Sequence, residues 1–355
     1  MKKLSRGLSR LKTEASLGSG LFGAVSSSSE NACARAIIHA PIEGLFSLIV
    51  CTRDRTEELK RFFVSIANQV GAVRCEIIVV DQNTDERVAP IIEAFEDRLR
   101  IRHIRSRPGL SRGRNLALQD AQGSIIAFPD DDCAYPKTLL SDLYGRFASL
   151  PAADGIAVMS RDFDGKPSGP RWIPRQGWIK KNSVFRQAIS YGLFFRAGLI
   201  RQVGAFDESL GVGSDSAWQS GEETDYVLRA IAQGFRILYC PNLFSLHRGD
   251  QEDEIHFRKQ VKYAAGGGRV VRLHSFSWMF KVKFLVAPFL RATVDLLRFS
   301  PNRSKWQLGI GSARWRGFSS RTGQTWHLRP QTSYSGPQSQ PLSLRRTHST
   351  SPLRR

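Results

Sequence analysis

The chain has 355 residues, 41 % hydrophobic and 24 % charged, a composition that supports one large or two modest folded domains and excludes wholesale disorder. Its five cysteines, Cys33, Cys51, Cys75, Cys133 and Cys240, are scattered without a CxxC pair, which excludes a disulfide framework or zinc ribbon and fits a reducing compartment. The net charge of +20 suggests a polyanion partner until it is located: residues 41–250 hold 27 basic against 26 acidic residues, and 251–355 hold 19 against 4.

Residues 1–40 are basic, then Gly- and Ser-rich, with no uninterrupted apolar run. They read as a flexible segment and not as a cleaved signal peptide. From Leu45 a repeating pattern begins. Leu45–Cys51 is an apolar run expected as a strand buried on both faces. Thr56–Gln69 carries Leu59, Phe62, Phe63 and Ile66 at helical spacing. Glu76–Val80 is a second strand, Val88–Phe95 a helix, Leu99–Ile104 a strand and Leu110–Ala121 a helix. Ser124–Phe128 is a strand running into Pro129 and three aspartates, and Leu139–Leu150 is a helix. Alternation of this kind predicts an α/β fold with a mostly parallel central sheet flanked by helices.

Residues 161–187, rich in Gly, Pro, Trp and Arg, read as a long loop or lid. Ile189–Arg196 is expected as a strand, Gly221–Gln233 as a helix closed by Gly234, and Phe235–Tyr239 as a strand. The domain predicted for 41–250 is followed by a basic amphipathic helical extension at 251–324. Its segment 276–298 is broken by Lys281, Lys283, Pro288 and Arg291, so it suits either a membrane interface or packing on the domain. Residues 325–355, poor in apolar side chains, are expected to be a disordered basic tail.

Right-handed crossovers place strand C-termini along one edge, where ligands bind in open sheets. Asp54, Asp81 and Asp130–Asp132 all fall there. Three adjacent carboxylates repel one another, and Mg²⁺ or Mn²⁺ would resolve the conflict through hard oxygen ligands; a solvated acidic turn is the alternative. In Gly221-Glu222-Glu223-Thr224-Asp225 the acidic residues suit a helix N-terminus, and one of them would serve as a general base. His247 is either structural or a neutral metal ligand. Arg107, Arg112 and Arg114, around Gly109 at a helix start, suit phosphate oxygens or plain solvent.

Taken in order, FSLIVCTRDR (46–55), EIIVVDQNTD (76–85), GLSRGRNLAL (109–118), GSIIAFPDDDC (123–133), LFFRAGLIRQVGAFDESLGVG (193–213) and GEETDYVLRAIAQGFRILYCPNLFSLHR (221–248) resemble the inverting family 2 glycosyltransferases of the GT-A fold. The resemblance spans about residues 45–250. It implies that Thr52, Asp54 and Asp81 hold the nucleotide base and ribose, and that Arg114, with Arg112 beside it, meets the donor diphosphate. It also implies that Asp130, Asp131 and Asp132 supply the DxD metal element, with His247 a further ligand. Glu223 stands where such enzymes place an aspartate base, with Glu222 and Asp225 as rivals. The QxxRW motif of processive synthases is missing, so the expected activity is transfer of single sugars, in the hexosyltransferase class.

The implied substrates are a nucleotide-diphosphate sugar and a glycan or lipid-linked acceptor of cell-surface polysaccharide or glycolipid synthesis. Trp172 and Trp178 in the 161–187 loop are candidates for stacking on sugar rings. The basic ends point to peripheral contact with an anionic membrane from the cytoplasmic side. Two other classes compete. A sugar-nucleotide nucleotidyltransferase would need a Gly-rich loop after the first strand, where CTRDRTEE stands instead. A non-enzymatic polyanion-binding protein would need a basic core, which 41–250 does not have. No specific nucleic-acid partner is expected.

Overall fold

A computed structural model describes residues 40–320, except 72, 170–171 and 250–253. The expected N-terminal segment, apart from residue 40, and the expected tail at 325–355 lie outside the described residues.

The apolar run at 45–50 forms the centre of strand β1 (Ile42–Thr52). Its residues sort by the two-residue period of a strand. Phe46, Leu48 and Val50 enter one hydrophobic core, and Ile49 enters the other. Helix α1 (Glu57–Ala67) buries Leu59, Phe62, Phe63 and Ile66 along one stripe. Strand β2 (Arg74–Asp81) again alternates, with Ile77 and Val79 on the α1 side and Ile78 and Val80 opposite. Helix α2 (Ala89–Glu93), strand β3 (Arg100–Arg105), helix α3 (Leu110–Leu118) and strand β4 (Gly123–Ala127) complete the repeating half.

The second half is built differently. Strand β5 (Cys133–Ala134) and helix α4 (Leu139–Ser149) lead to strand β6 (Gly155–Arg161). The stretch after β6 holds strand β7 (Gly177–Trp178) and 3₁₀ turns at Lys181–Arg186 and Ser190–Gly192. Strand β8 (Leu193–Arg196), helix α5 (Ala197–Val203), helix α6 (Glu222–Ala232) and strand β9 (Ile237–His247) follow. The chain then forms helices α7 (Glu254–Leu273), α8 (Trp278–Leu297) and α9 (Pro301–Ser319).

All nine described strands join one sheet, ordered β3-β2-β1-β4-β8-β6-β9-β5, with β7 on β9. The sheet is only partly parallel, which corrects the expectation of a mostly parallel one. Pairs β2–β3, β1–β2, β1–β4 and β6–β9 are parallel, whereas β4–β8, β6–β8, β5–β9 and β7–β9 are antiparallel. The reason is connectivity. Helical crossovers make the pairs from β3 to β4 parallel; beyond them β8, a four-residue strand, is inserted antiparallel between β4 and β6.

The loop tryptophans are used within the fold. Trp172 stacks on Tyr239 with ring centroids 6.0 Å apart and donates its indole N–H to the Ser168 carbonyl at 2.7 Å. Trp178 carries the Arg236 guanidinium 4.0 Å over its ring.

Helix α7 contains Gly266, Gly267 and Gly268, each costing about 1 kcal/mol of helix propensity against alanine. Two of them are explained by backbone approach. A Cβ on Gly266 would collide with the Ser220 carbonyl oxygen, and one on Gly268 with that of Arg314 in α9. Gly266→Ala is therefore expected to lower stability by about 1–3 kcal/mol as the helix shifts away. Urea denaturation measures this, and an unchanged midpoint would show that the contact yields freely.

Candidate active site

The ends of β1, β4 and β9 bring the acidic run together with a histidine. Cys133 pairs with His247 across β5 and β9, so His247 lies beside Asp132. Its Nε2 is 3.1 Å from Asp132 Oδ1. Its Nδ1 is 2.9 Å from the Arg248 carbonyl oxygen and donates there, and the ring stacks on Tyr191 at 4.5 Å. Asp130, Asp132 and His247 each offer a ligand atom within 4.8 Å of the others.

The three carboxylates have divided their surroundings. Asp130 accepts from Ser190 Oγ at 3.2 Å, and its burial raises its pKa although Arg114 opposes the shift. Asp131 accepts from Thr52 Oγ1 at 2.8 Å and pairs with Arg55; burial pushes it up to about 6 against that cation. Asp132 pairs with Arg55 at 2.8 Å. Burial opposes its charge, but His247, Arg55 and Lys259 outweigh it and hold Asp132 at about 2.

Asp131, expected among the metal ligands, is thus turned toward Thr52 and Arg55 and stands outside the converging group. The group that remains is two carboxylates and an imidazole whose Nδ1–H is committed to a carbonyl. This donor set fits Mg²⁺ or Mn²⁺, because the second-shell bond aims Nε2 at the carboxylates. His247→Ala is expected to weaken Mn²⁺ binding at least about tenfold, measured by the paramagnetic signal of free Mn²⁺. Unchanged binding would remove His247 from the ligand set.

Behind this cluster lies a buried ion network. Gly113 lets α3 press on the strand ends, since a Cβ there would meet Cys51 Sγ at 2.8 Å. The next residue, Arg114, is 1 % exposed. Its guanidinium lies 3.2 Å from Glu222 Oε1 and 3.5 Å from Asp130 Oδ1, and packs beside the rings of Phe128 and Phe206, 5.6 and 5.5 Å from their centroids. Arg112 turns elsewhere, to Glu208 at 3.4 Å and Asp215 at 3.0 Å.

The three candidate bases separate clearly. Glu222 is buried, bound to Arg114 through Oε1, and its Oε2 has no hydrogen-bond partner among the described residues. Asp225 is buried between Arg229 and His274, each 2.8 Å away, which outweigh its burial and lower its pKa. Glu223 alone is half-buried, beside a narrow void lined by Arg114, Phe128, Ser190, Phe206 and Tyr226 that is too tight for a water molecule. Burial and then the neighbouring Glu222 charge push its pKa up to about 8, the poise of a proton acceptor near neutral pH.

At the end of β2, Asp81 is fully buried and internally satisfied. It accepts from the backbone and side-chain amides of Asn83 at 2.9 and 2.7 Å, and His103 Nε2 lies 3.1 Å away. Asp54 sits at a positive φ of 60°, with its N–H donating to Asn83 Oδ1 at 2.8 Å and its carboxylate facing Arg53 and Arg87. The structure therefore joins Asp54 and Asp81 through Asn83 at one corner of the strand edge. Thr52 belongs instead with Asp131.

Sequence reasoning missed the contribution of α7. Ser220 Oγ donates to the Tyr263 carbonyl at 2.7 Å, and Gly221, at φ 94°, would place a Cβ 2.8 Å from Val270. His274 reaches Asp225 from the end of the same helix. The turn that presents Glu223 is thus held from outside the expected domain, and the Gly266–Gly268 run was the signal that could have revealed it. Arg55, Ser190 and Tyr191 were missed because nothing local distinguishes them from ordinary loop residues.

Residues 47–203 match the model of the family described as Glycosyl transferase family 2. Glycosyltransferase AglE of Haloferax volcanii is 22 % identical over 242 residues, covering 65 % of this chain and 75 % of that protein. Hyaluronan synthase of Pasteurella multocida is 33 % identical over 91 residues, 25 % of this chain and 9 % of the synthase. The chain thus spans three quarters of one relative and less than a tenth of the other. Among solved structures, the mannosyltransferase PcManGT from Pyrobaculum calidifontis, in complex with GDP-Man and Mn²⁺, superposes with a TM-score of 0.56 at 14 % identity, covering 79 % of this chain and 89 % of that one. Residues 47–203 of this chain are thus similar in sequence to the family 2 glycosyltransferases, and its fold resembles that of PcManGT.

Proposed function

We propose that this protein transfers a single sugar from a nucleotide-diphosphate sugar to an acceptor hydroxyl, with inversion at the anomeric carbon. The observation that carries the reading is one sheet edge holding both a divalent-cation donor set, Asp130, Asp132 and His247, and a half-buried carboxylate of raised pKa, Glu223. Glu223 accepts the proton of the acceptor hydroxyl as its oxygen bonds to the anomeric carbon; the bond from that carbon to the diphosphate oxygen breaks on the opposite face. A divalent cation, when bound, supplies positive charge to the departing diphosphate. Arg114 keeps Glu222 and Asp130 in place behind the site, and the Asp54–Asn83–Asp81 corner offers polar groups to a nucleoside. The acceptor we infer is a glycan or lipid-linked sugar of polysaccharide or glycolipid synthesis.

Release of nucleoside diphosphate from UDP-, GDP- and dTDP-sugars, with Mn²⁺ or Mg²⁺, tests the reading. The expected result is slow release from one donor that is lost on chelation and in Asp132→Ala. Failure of every donor and of Mn²⁺ to bind would overturn it. The anomeric configuration of the product, read by NMR, tests inversion.

A further inference from the structure

Helix α8 is apolar on both sides, but only one side is used. Leu285, Pro288 and Ala292 are buried, and Phe280 and Phe284 stack with Phe185 and Phe276. Helix α9 presses on the same side, where a Cβ on Gly311 would lie 2.7 Å from the Phe289 ring. The opposite stripe, with the period of a helix, has no covering element among the described residues: Trp278 is 72 % exposed, Leu290 63 % and Leu297 75 %, with Met279, Val282 and Val286 between them. Phe299, just beyond the helix, is 93 % exposed. A 20-residue helix carries such a stripe for about 30 Å, far more than scattered surface leucines explain.

We propose that this face of α8 is a docking surface for an anionic phospholipid bilayer. Charge selects the occupant. Residues 254–320 contain 13 Lys and Arg against two acidic residues, and Lys283, Arg291 and Arg298 are exposed on α8 or at its end. Long basic side chains beside an apolar stripe let the stripe enter the interface while their charges reach lipid phosphates. A second copy of the chain would bring the same excess of positive charge against itself. A protein partner would need specific polar recognition, whereas the stripe offers almost none. Among the described residues no helix is long and apolar enough to cross a membrane, so α8 would lie along the surface.

Docking there has a consequence that rests on the glycosyl-transfer reading. Helix α7 touches both α9 and the Ser220–Gly221 turn before Glu223. A docked α8 would hold the catalytic turn at a set height above the bilayer, where a lipid-linked acceptor sits.

Flotation of the full chain with vesicles tests the proposal, using phosphatidylcholine alone and phosphatidylcholine mixed with phosphatidylglycerol. The wild type is expected on the anionic vesicles and to leave them at high salt. Leu290→Glu/Leu297→Glu, two exposed positions outside the site, is expected to reduce binding at least about tenfold with unchanged circular dichroism and unchanged donor hydrolysis. Equal binding by the variant, equal binding to neutral vesicles, or no binding by the wild type would overturn the proposal. A wild-type dimer that becomes monomeric in the variant, without vesicle binding, would assign the face to a second copy. Vesicle binding by a protein that binds neither Mn²⁺ nor any nucleotide-sugar donor would overturn the transferase reading and leave the docking surface standing.

Discussion

Glu223→Gln is expected to lower sugar transfer by a factor of about 10²–10⁴, the usual contribution of a general base, while donor and Mn²⁺ binding persist. Glutamine keeps the length and packing of the side chain and removes only the proton acceptor. The pH profile of the wild type carries a second test. Burial and the Glu222 charge raise the pKa of Glu223 to about 8, and only its ionised form accepts a proton. Turnover should therefore climb with pH well beyond the ordinary carboxylate range. Glu222→Gln, which removes one cause of the shift, should move that limb to lower pH. Near-normal turnover in Glu223→Gln, or a wild-type limb in the ordinary carboxylate range, would remove Glu223 as the base.

Arg114→Met is expected to cost about 3–5 kcal/mol of stability, because it strands buried carboxylates without their cation. Glu222 is the main casualty: its Oε1 is paired with Arg114, and among the described residues its Oε2 has no side-chain or backbone hydrogen-bond partner. Burial already raises its pKa. A carboxyl whose folded-state pKa lies above its unfolded value favours the folded state as it takes up its proton. The deficit of the variant relative to wild type should thus be largest at high pH and narrow as pH falls through the raised pKa. Arg114→Met/Glu222→Leu should recover much of the loss, since replacing both partners removes the stranded charge. Urea midpoints across pH decide this. A small, pH-independent loss in the single variant would show that Glu222 is not dependent on Arg114.

Arg114 also illustrates what a motif conceals. Read beside Gly109 and Gly113, it suits a donor phosphate, yet α3 packs so tightly on Cys51 and Gln82 that the side chain is buried beside Phe128 and Phe206. In the acidic run, nothing local says which partner each carboxylate will find. Asp131 meets Thr52 and Arg55 at and just past the end of β1, and Asp132 meets His247 from β9, partners 79, 76 and 115 positions away. Within the sequence, family resemblance alone favours Glu223 over its rivals. The structure adds the physical distinction, because Glu222 and Asp225 are each committed to a cation.

What the sequence by itself determined is the part governed by local pattern. Buried strands, the apolar stripes of α1 and α4, and the placement of Asp81 and Asp130 at strand ends all follow from side-chain periodicity and from the geometry of parallel crossovers. Tertiary structure alone decided the antiparallel insertion of β8, the partners that each of the three aspartates finds, and the clamp of α7 on the Ser220–Gly221 turn before Glu223. Each of these depends on contacts between segments far apart in the chain, where burial energy and backbone fit override local preference. The exposed stripe of α8 belongs to both. Its apolar residues are plain in the sequence, but which of its two faces would be left uncovered was settled only when α9 packed against the other.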